Sequence, residues 1–172
     1  MKINTEYFES LELLLGTLRL CGLNSAVIAG GAIRDALAGK SIADIDVFYS
    51  QGDTLNTGNV YFTSKFEVQP PSPVAQYDNV QFEVTHNLTS NLPSISNPIQ
   101  LIKTKTKPEE WVGKFPHSIS RCMLTKEGLV IPVECLADFH NKQMFLYEYL
   151  EPTNPAYLAK IKSKYYDWEI VS

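Results

Sequence analysis

Residues 29–46 read Ala-Gly-Gly-Ala-Ile-Arg-Asp-Ala-Leu-Ala-Gly-Lys-Ser-Ile-Ala-Asp-Ile-Asp. Gly30 and Gly31 lack Cβ atoms, so their backbone amides admit an anion such as a phosphate closely. Residues 32–38 read as about two turns of helix, stopped by Gly39. The first N–H groups and the positive dipole end of that helix point where the glycines do. Asp44 and Asp46 sit at i and i+2. On an expected strand over 44–49 they share one face, roughly 7 Å apart at ~3.3 Å per residue. Two carboxylates so placed suit Mg²⁺ or Mn²⁺, since hard cations prefer oxygen ligands. Ile45 between them turns toward a core.

Working outward, Phe8, Leu11, Leu14, Leu15 and Leu18 recur at helical spacing and predict a helix over 5–21. Ala-Val-Ile-Ala at 26–29 forms a strand running into the glycine pair. Residues 50–79 are rich in Gly, Asn, Pro and Ser, with Pro70-Pro71-Ser72-Pro73 the strongest breaker, and read as a loop-rich excursion. Strands are expected at 80–86 and 98–103, and a helix from Pro108 through Phe115. Two further strands, 117–124 and 128–134, join at Lys126-Glu127-Gly128. Residues 136–170 read as helical pieces with an apolar stripe of Tyr157, Leu158, Ile161, Tyr165 and Trp168. The expected class is α/β (α+β): a mixed sheet with helices mainly on one face. Residues 1–135 would form the head domain, and 136–172 a short C-terminal helical appendage packed on it.

The 172 residues are 44% hydrophobic and 20% charged, an ordinary globular balance. A net charge of −4 excludes the global basic field of nonspecific DNA binders. Lys103, Lys105 and Lys107, and Lys160, Lys162 and Lys164, form two local basic groups that read as solvated faces. Three cysteines, Cys21, Cys122 and Cys135, lack metal-site spacing. With no signal peptide and no long apolar run, a reduced, cytoplasmic protein without a membrane span is expected.

The pattern Gly30-Gly31-x-x-Arg34-Asp35-x-Leu37-x-Gly39, followed by Asp44-x-Asp46, resembles the head motif of polymerase-β-type nucleotidyltransferases. The version it resembles is that of tRNA CCA-adding enzymes and bacterial poly(A) polymerases. The likeness covers residues 26–49; farther on, Ile99-Gln100-Leu101-Ile102 and Phe115-Pro116-His117 are similar to segments of small standalone, often phage-encoded members. The resemblance implies NMP transfer from an NTP to an acceptor hydroxyl, with pyrophosphate released. Asp44 and Asp46 would be catalytic and hold Mg²⁺ or Mn²⁺, and Gly30, Gly31, Arg34 and Asp35 would bind the nucleotide or buttress its site. An RNA end, a protein or a small molecule would be the acceptor.

The family often carries a third carboxylate after the phenylalanine matched by Phe115, where this chain has Pro116. Glu83, on the strand Gln81-Phe82-Glu83-Val84-Thr85, is then the candidate third catalytic acid, with Glu134 a weaker one. Rival motifs fail. Gly39-Lys40-Ser41 resembles a P-loop end, but Arg34 occupies the earlier glycine position. His86, His117 and His140 lack zinc spacing. His117 and Ser118 follow Pro116 and are candidates for the pocket wall. The alternative is a catalytically degenerate protein that binds a nucleotide or a partner, as a phage accessory or toxin–antitoxin component.

Overall fold

The computed structural model describes residues 1, 3–70, 82–147 and 155–171. The N-terminal helix is α1 (Thr5–Leu20), capped by Asn4, whose side chain accepts from the Tyr7 amide at 3.1 Å. Next come β1 (Val27–Ala29), α2 (Gly31–Ala38), β2 (Ile45–Ser50), α3 (Val60–Thr63), β3 (Phe66–Gln69), β4 (Phe82–Ser90) and β5 (Ile99–Thr104). The remainder is α4 (Pro108–Val112), a 3₁₀ turn at Ser118–Arg121, β6 (Met123–Thr125), β7 (Gly128–Val130), α5 (Val133–Asn141), β8 (Gln143–Phe145), α6 (Pro155–Lys164) and β9 (Glu169–Val171).

Seven strands form one mixed sheet in the order β3-β4-β5-β2-β1-β6-β7, in which β2 and β5 are parallel and the other pairs antiparallel. In β2, Ile45, Val47 and Tyr49 face the larger core with Leu11, Leu14 and Leu18 of α1 and Ile33 and Leu37 of α2. Phe48 faces a smaller core with Val27, Ala29, Ile102 and Val112. Most helical mass among the described residues therefore lies on one side, and α4 is the helix among them that covers the other, with Val112 and Trp111. Because β1 and β2 are antiparallel, with Ala29 opposite Asp46, the glycine pair leaves β1 beside the start of β2.

Three sequence expectations change. The predicted strand over 117–124 begins instead as the 3₁₀ turn, with the Ser120 amide donating to the His117 carbonyl at 3.1 Å. The Ser118 and Ser120 hydroxyls meanwhile bond distant partners: Ser118 accepts from the Phe145 amide and donates to Asp138, and Ser120 accepts from Arg34. Residues from Val133 are helical: Pro132 opens α5, whose Cys135, Asp138 and Phe139 are buried at helical spacing. Glu134 thus stands on an exposed first turn of α5, not on a strand, and α5 crosses the division expected at 135/136. The tail adds a parallel β8–β9 pair to the expected helix. The loop-rich excursion contains α3 and β3, and its Pro71-Ser72-Pro73 portion lies outside the described residues. Among the described residues, no helix is long and apolar enough to cross a membrane.

Candidate active site

Gly30 takes φ 76° and ψ −142°, a conformation that side-chain-bearing residues rarely adopt. A Cβ there would come 3.9 Å from Asp46 Oδ2 and 4.0 Å from the Phe115 ring. At Gly31 a Cβ would come 3.3 Å from Arg34 Nη2 and 3.5 Å from Asp35 Oδ2. The first glycine thus serves the backbone, and the second leaves room for the Arg34–Asp35 pair. No side chain caps α2, so its first-turn amides are not claimed by a cap.

Asp46 lies on the Phe48 side of β2, and Phe115 walls the position, its ring centroid 5.6 Å from that of Phe48. The Asp46 Oδ1 atom is enclosed and, among the described residues, has no hydrogen-bond partner. Burial pushes the carboxyl up to about 7, Asp44 adds to the rise, and Arg34 opposes it. A buried carboxylate oxygen with no donor costs free energy unless something fills the need. Asp44 does not lie on the strand expected over 44–49: β2 begins at Ile45, and half-buried Asp44 stands just before it, near enough for its charge to act on Asp46. Mg²⁺ is commonly held by one or two carboxylates together with substrate phosphates and water. The Asp44–Asp46 pair with its orphaned oxygen fits that demand. Among the described residues, no group of three or more His, Cys, Asp or Glu is placed to hold a metal.

Arg34 and Asp35 are drawn in a different direction. Arg34 Nε donates to Asp35 Oδ1 at 2.8 Å, and Nη2 donates to Oδ2 at 3.2 Å. Arg34 Nη1 donates to Ser120 Oγ and Tyr157 OH, each at 3.1 Å. Four of the five guanidinium N–H groups are therefore used. Asp35 also accepts from Lys164 Nζ at 2.9 Å and Tyr165 OH at 2.6 Å. Burial alone would raise the Asp35 carboxyl, but Arg34 and these hydrogen bonds hold it below the ordinary carboxylate range. Sequence reasoning placed Arg34 and Asp35 beside the glycines, where they are, yet missed that their partners come from the Ser118–Arg121 turn, α6 and the residue after it. Tyr157 and Tyr165 were legible only as an apolar stripe.

Glu83 does not join the pair. It stands level with Lys103 and Tyr49, on the sheet face opposite Asp46, and its exposed carboxylate pairs with Lys103 Nζ at 3.3 Å. The alternation of Phe82, Glu83 and Val84 was read correctly, but Phe82 and Val84 pack in the smaller core, on the Asp46 side. The face left to Glu83 is therefore the wrong one. Level with Asp46 on the neighbouring strands stand Gln100 and Asn87, both amides. His117 is buried beside Tyr157, ring centroids 5.6 Å apart, and neither ring nitrogen has a hydrogen-bond partner among the described residues. Burial, with Arg34 adding, lowers its pKa to about 4, so it is neutral at pH 7.

Residues 4–142 match the model of the Gabija anti-defense 2 family. The chain belongs to that family. In fold, this Gabija anti-defense 2 family member resembles the head of known nucleotidyltransferases. A tRNA-processing enzyme in an apo form superposes with a TM-score of 0.60 at 14% identity, covering 99% of this chain and 45% of the other. A CCA-adding enzyme in complex with CTP gives 0.60 at 13%, covering 100% and 44%. The Thermotoga maritima CCA-adding enzyme complexed with tRNA gives 0.55 at 13%, also covering 100% and 44%. The family member thus spans less than half the length of these enzymes. No curated protein matches its sequence.

Proposed function

We propose that this chain is a divalent-metal-dependent nucleotidyltransferase that moves NMP from an NTP to an acceptor hydroxyl. The observation that carries the proposal is the enclosed, unpartnered Oδ1 of Asp46, set beside Gly30 and next to Asp44. Asp44 and Asp46 would hold Mg²⁺ or Mn²⁺, which when bound supplies positive charge against the triphosphate. Gly30 and Gly31, with the uncapped start of α2, would receive phosphate oxygens on backbone amides. Phe115 walls the site against water. Arg34 and Asp35 would fix α2 from beneath, leaving one guanidinium N–H unused by these bonds. In the transfer, the acceptor oxygen forms a bond to the α-phosphorus, the bond to the bridging oxygen breaks, and pyrophosphate leaves with that electron pair. The acceptor proton passes to solvent. Residues 1–135 would act as the head and 136–172 as an appendage that braces it.

A second reading has its own support. Glu83 is turned away, and Gln100 and Asn87 stand where carboxylates would be useful. A protein that binds nucleotide or a partner without turnover fits those amides, and the family's name favours a counter-defence role for either version, in keeping with a small phage-encoded member. Incubation with α-labelled NTPs, Mg²⁺ or Mn²⁺, and RNA and protein acceptors separates the two. Label transfer that disappears in Asp44→Asn and Asp46→Asn supports the enzyme. Metal-dependent NTP binding in calorimetry without transfer supports the binder, and absence of both defeats the nucleotide site altogether.

A further inference from the structure

Between the end of α2 and the outer face of α6 lies an open groove of about 590 Å³, lined by Gly39, Lys40, Ser41, Lys160, Ser163, Lys164 and Tyr166. Among the described residues, no carboxylate lines it. Lys40 Nζ pairs with Asp167 at 2.6 Å, and Lys164 Nζ with Asp35 at 2.9 Å. Lys142 reaches the same Asp167 at 3.9 Å. Lys160 lies exposed on α6, and no ion pair is formed by it among the described residues. Arg34 shares Asp35, so four cations converge on two carboxylates here and Lys160 adds a fifth positive charge beside them, in a chain whose net charge is −4. Tyr166 is 82% exposed, and the Lys40 ammonium stands 5.2 Å from its ring centroid. Tyr166 thus offers an exposed aromatic face beside a cation, the combination on which nucleic-acid bases stack.

We infer that this groove binds a single-stranded segment of nucleic acid, with a base stacked on Tyr166 and phosphates beside Lys160 and Lys40. Every base has a π-face, so an exposed aromatic ring among cations takes single strands with little sequence preference. Ser41 and Ser163 add hydroxyl donors of the type that contact phosphate oxygens. An acidic protein would use the lysines but gain little from the stacked ring. A duplex would hide its base faces from Tyr166. The groove adjoins the C-terminal end of α2, whereas the glycine pair opens its other end. The two places are about 12 Å apart along an eight-residue helix. The inference stands apart from the proposed transfer reaction and does not need Asp46 to be active.

The test is fluorescence anisotropy of the full chain with short labelled single-stranded RNA and, separately, single-stranded DNA. Duplex and poly-glutamate competitors are added in further arms. Tyr166→Ala is expected to weaken single-strand binding about 5- to 100-fold. Lys160→Glu is expected to weaken it and to make the salt dependence shallower by ~0.7 in log–log slope. Both positions are exposed, and thermal melts should match wild type. Asp46→Asn should retain oligonucleotide binding even where label transfer is lost, so the groove and the transfer reaction fail separately. A preference for RNA or DNA identifies the source of the strand. Absence of binding at low salt, binding indifferent to both variants, or equal displacement by duplex or by poly-glutamate would each overturn the inference.

Discussion

Asp35, buried, and Asp46, half-buried with one enclosed oxygen, are carboxylates on adjacent elements that the protein treats in opposite ways. Asp35 accepts from Arg34 twice, from Lys164 and from Tyr165, and stays ionised well into acid. Asp46 keeps one enclosed oxygen with no donor and is pushed up to about 7. Both groups answer to the same guanidinium, so proximity to Arg34 does not separate them. Donor supply does. A fully answered carboxylate fixes structure, whereas an unanswered one stores a demand that a ligand can satisfy.

The largest effect expected from that contrast is on turnover. If transfer is detected, Asp46→Asn should lower its rate by about 10³-fold or more, comparable to losing a preorganised electrostatic group. The protein should remain folded by circular dichroism. Asp35→Asn should do the reverse, costing about 3–5 kcal/mol by stranding Arg34, or roughly 10 °C or more in Tm for a chain of this size. An Asp35→Asn protein that melts like wild type would break the comparison.

pH sharpens it further. An unfolded chain releases the Asp46 proton near pH ~4, while the folded chain holds it until about 7. Asp46 therefore removes stability as pH rises through that window, and Asp46→Asn should be more stable than wild type by about 1–3 kcal/mol at pH 8 but not at pH 4. His117 acts oppositely. Its folded pKa of about 4 lies below the unfolded value, so its contribution is lost as pH falls from ~6.5 toward 4. Added Mg²⁺ should raise the wild-type Tm at pH 8 more than at pH 6, because binding needs the ionised Asp46. It should not raise that of Asp46→Asn.

Smaller effects follow. Tyr165→Phe removes one of the donors to Asp35 and should cost about 1–2 kcal/mol in denaturant titration. Glu83→Gln removes an exposed pair with Lys103 and should stay within about 0.5 kcal/mol of wild type, with transfer unchanged. A Glu83→Gln protein that folds but loses transfer would restore the third-acid role to that residue.

The 29–46 segment was legible because each of its features is local. A glycine forced to φ 76°, a helix stopped by Gly39 and a two-residue aspartate spacing all act within a few bonds. Glu83 was misplaced because strand alternation says which residues share a face, not which of two apolar layers that face meets. The pattern His117 to Cys122 looked extended, but Ser118 and Ser120 spend their polar groups on a turn and on distant partners. The partners of Asp35 were illegible for a stronger reason. Nothing local in Tyr165 distinguishes a core ring from one whose hydroxyl reaches a carboxylate 130 positions earlier.

That separation also governs how the chain is made. At ribosomal speeds of ~5–20 residues per second, roughly 6–26 s pass between the synthesis of Asp35 and that of Tyr165. Throughout that interval Arg34 and Asp35 have each other but neither tyrosine nor lysine to close over them. The groups that close over the pair, Tyr157, Lys164 and Tyr165, are all added at the far end of that interval, so burial of this ion pair waits on the synthesis of α6 and the residue after it.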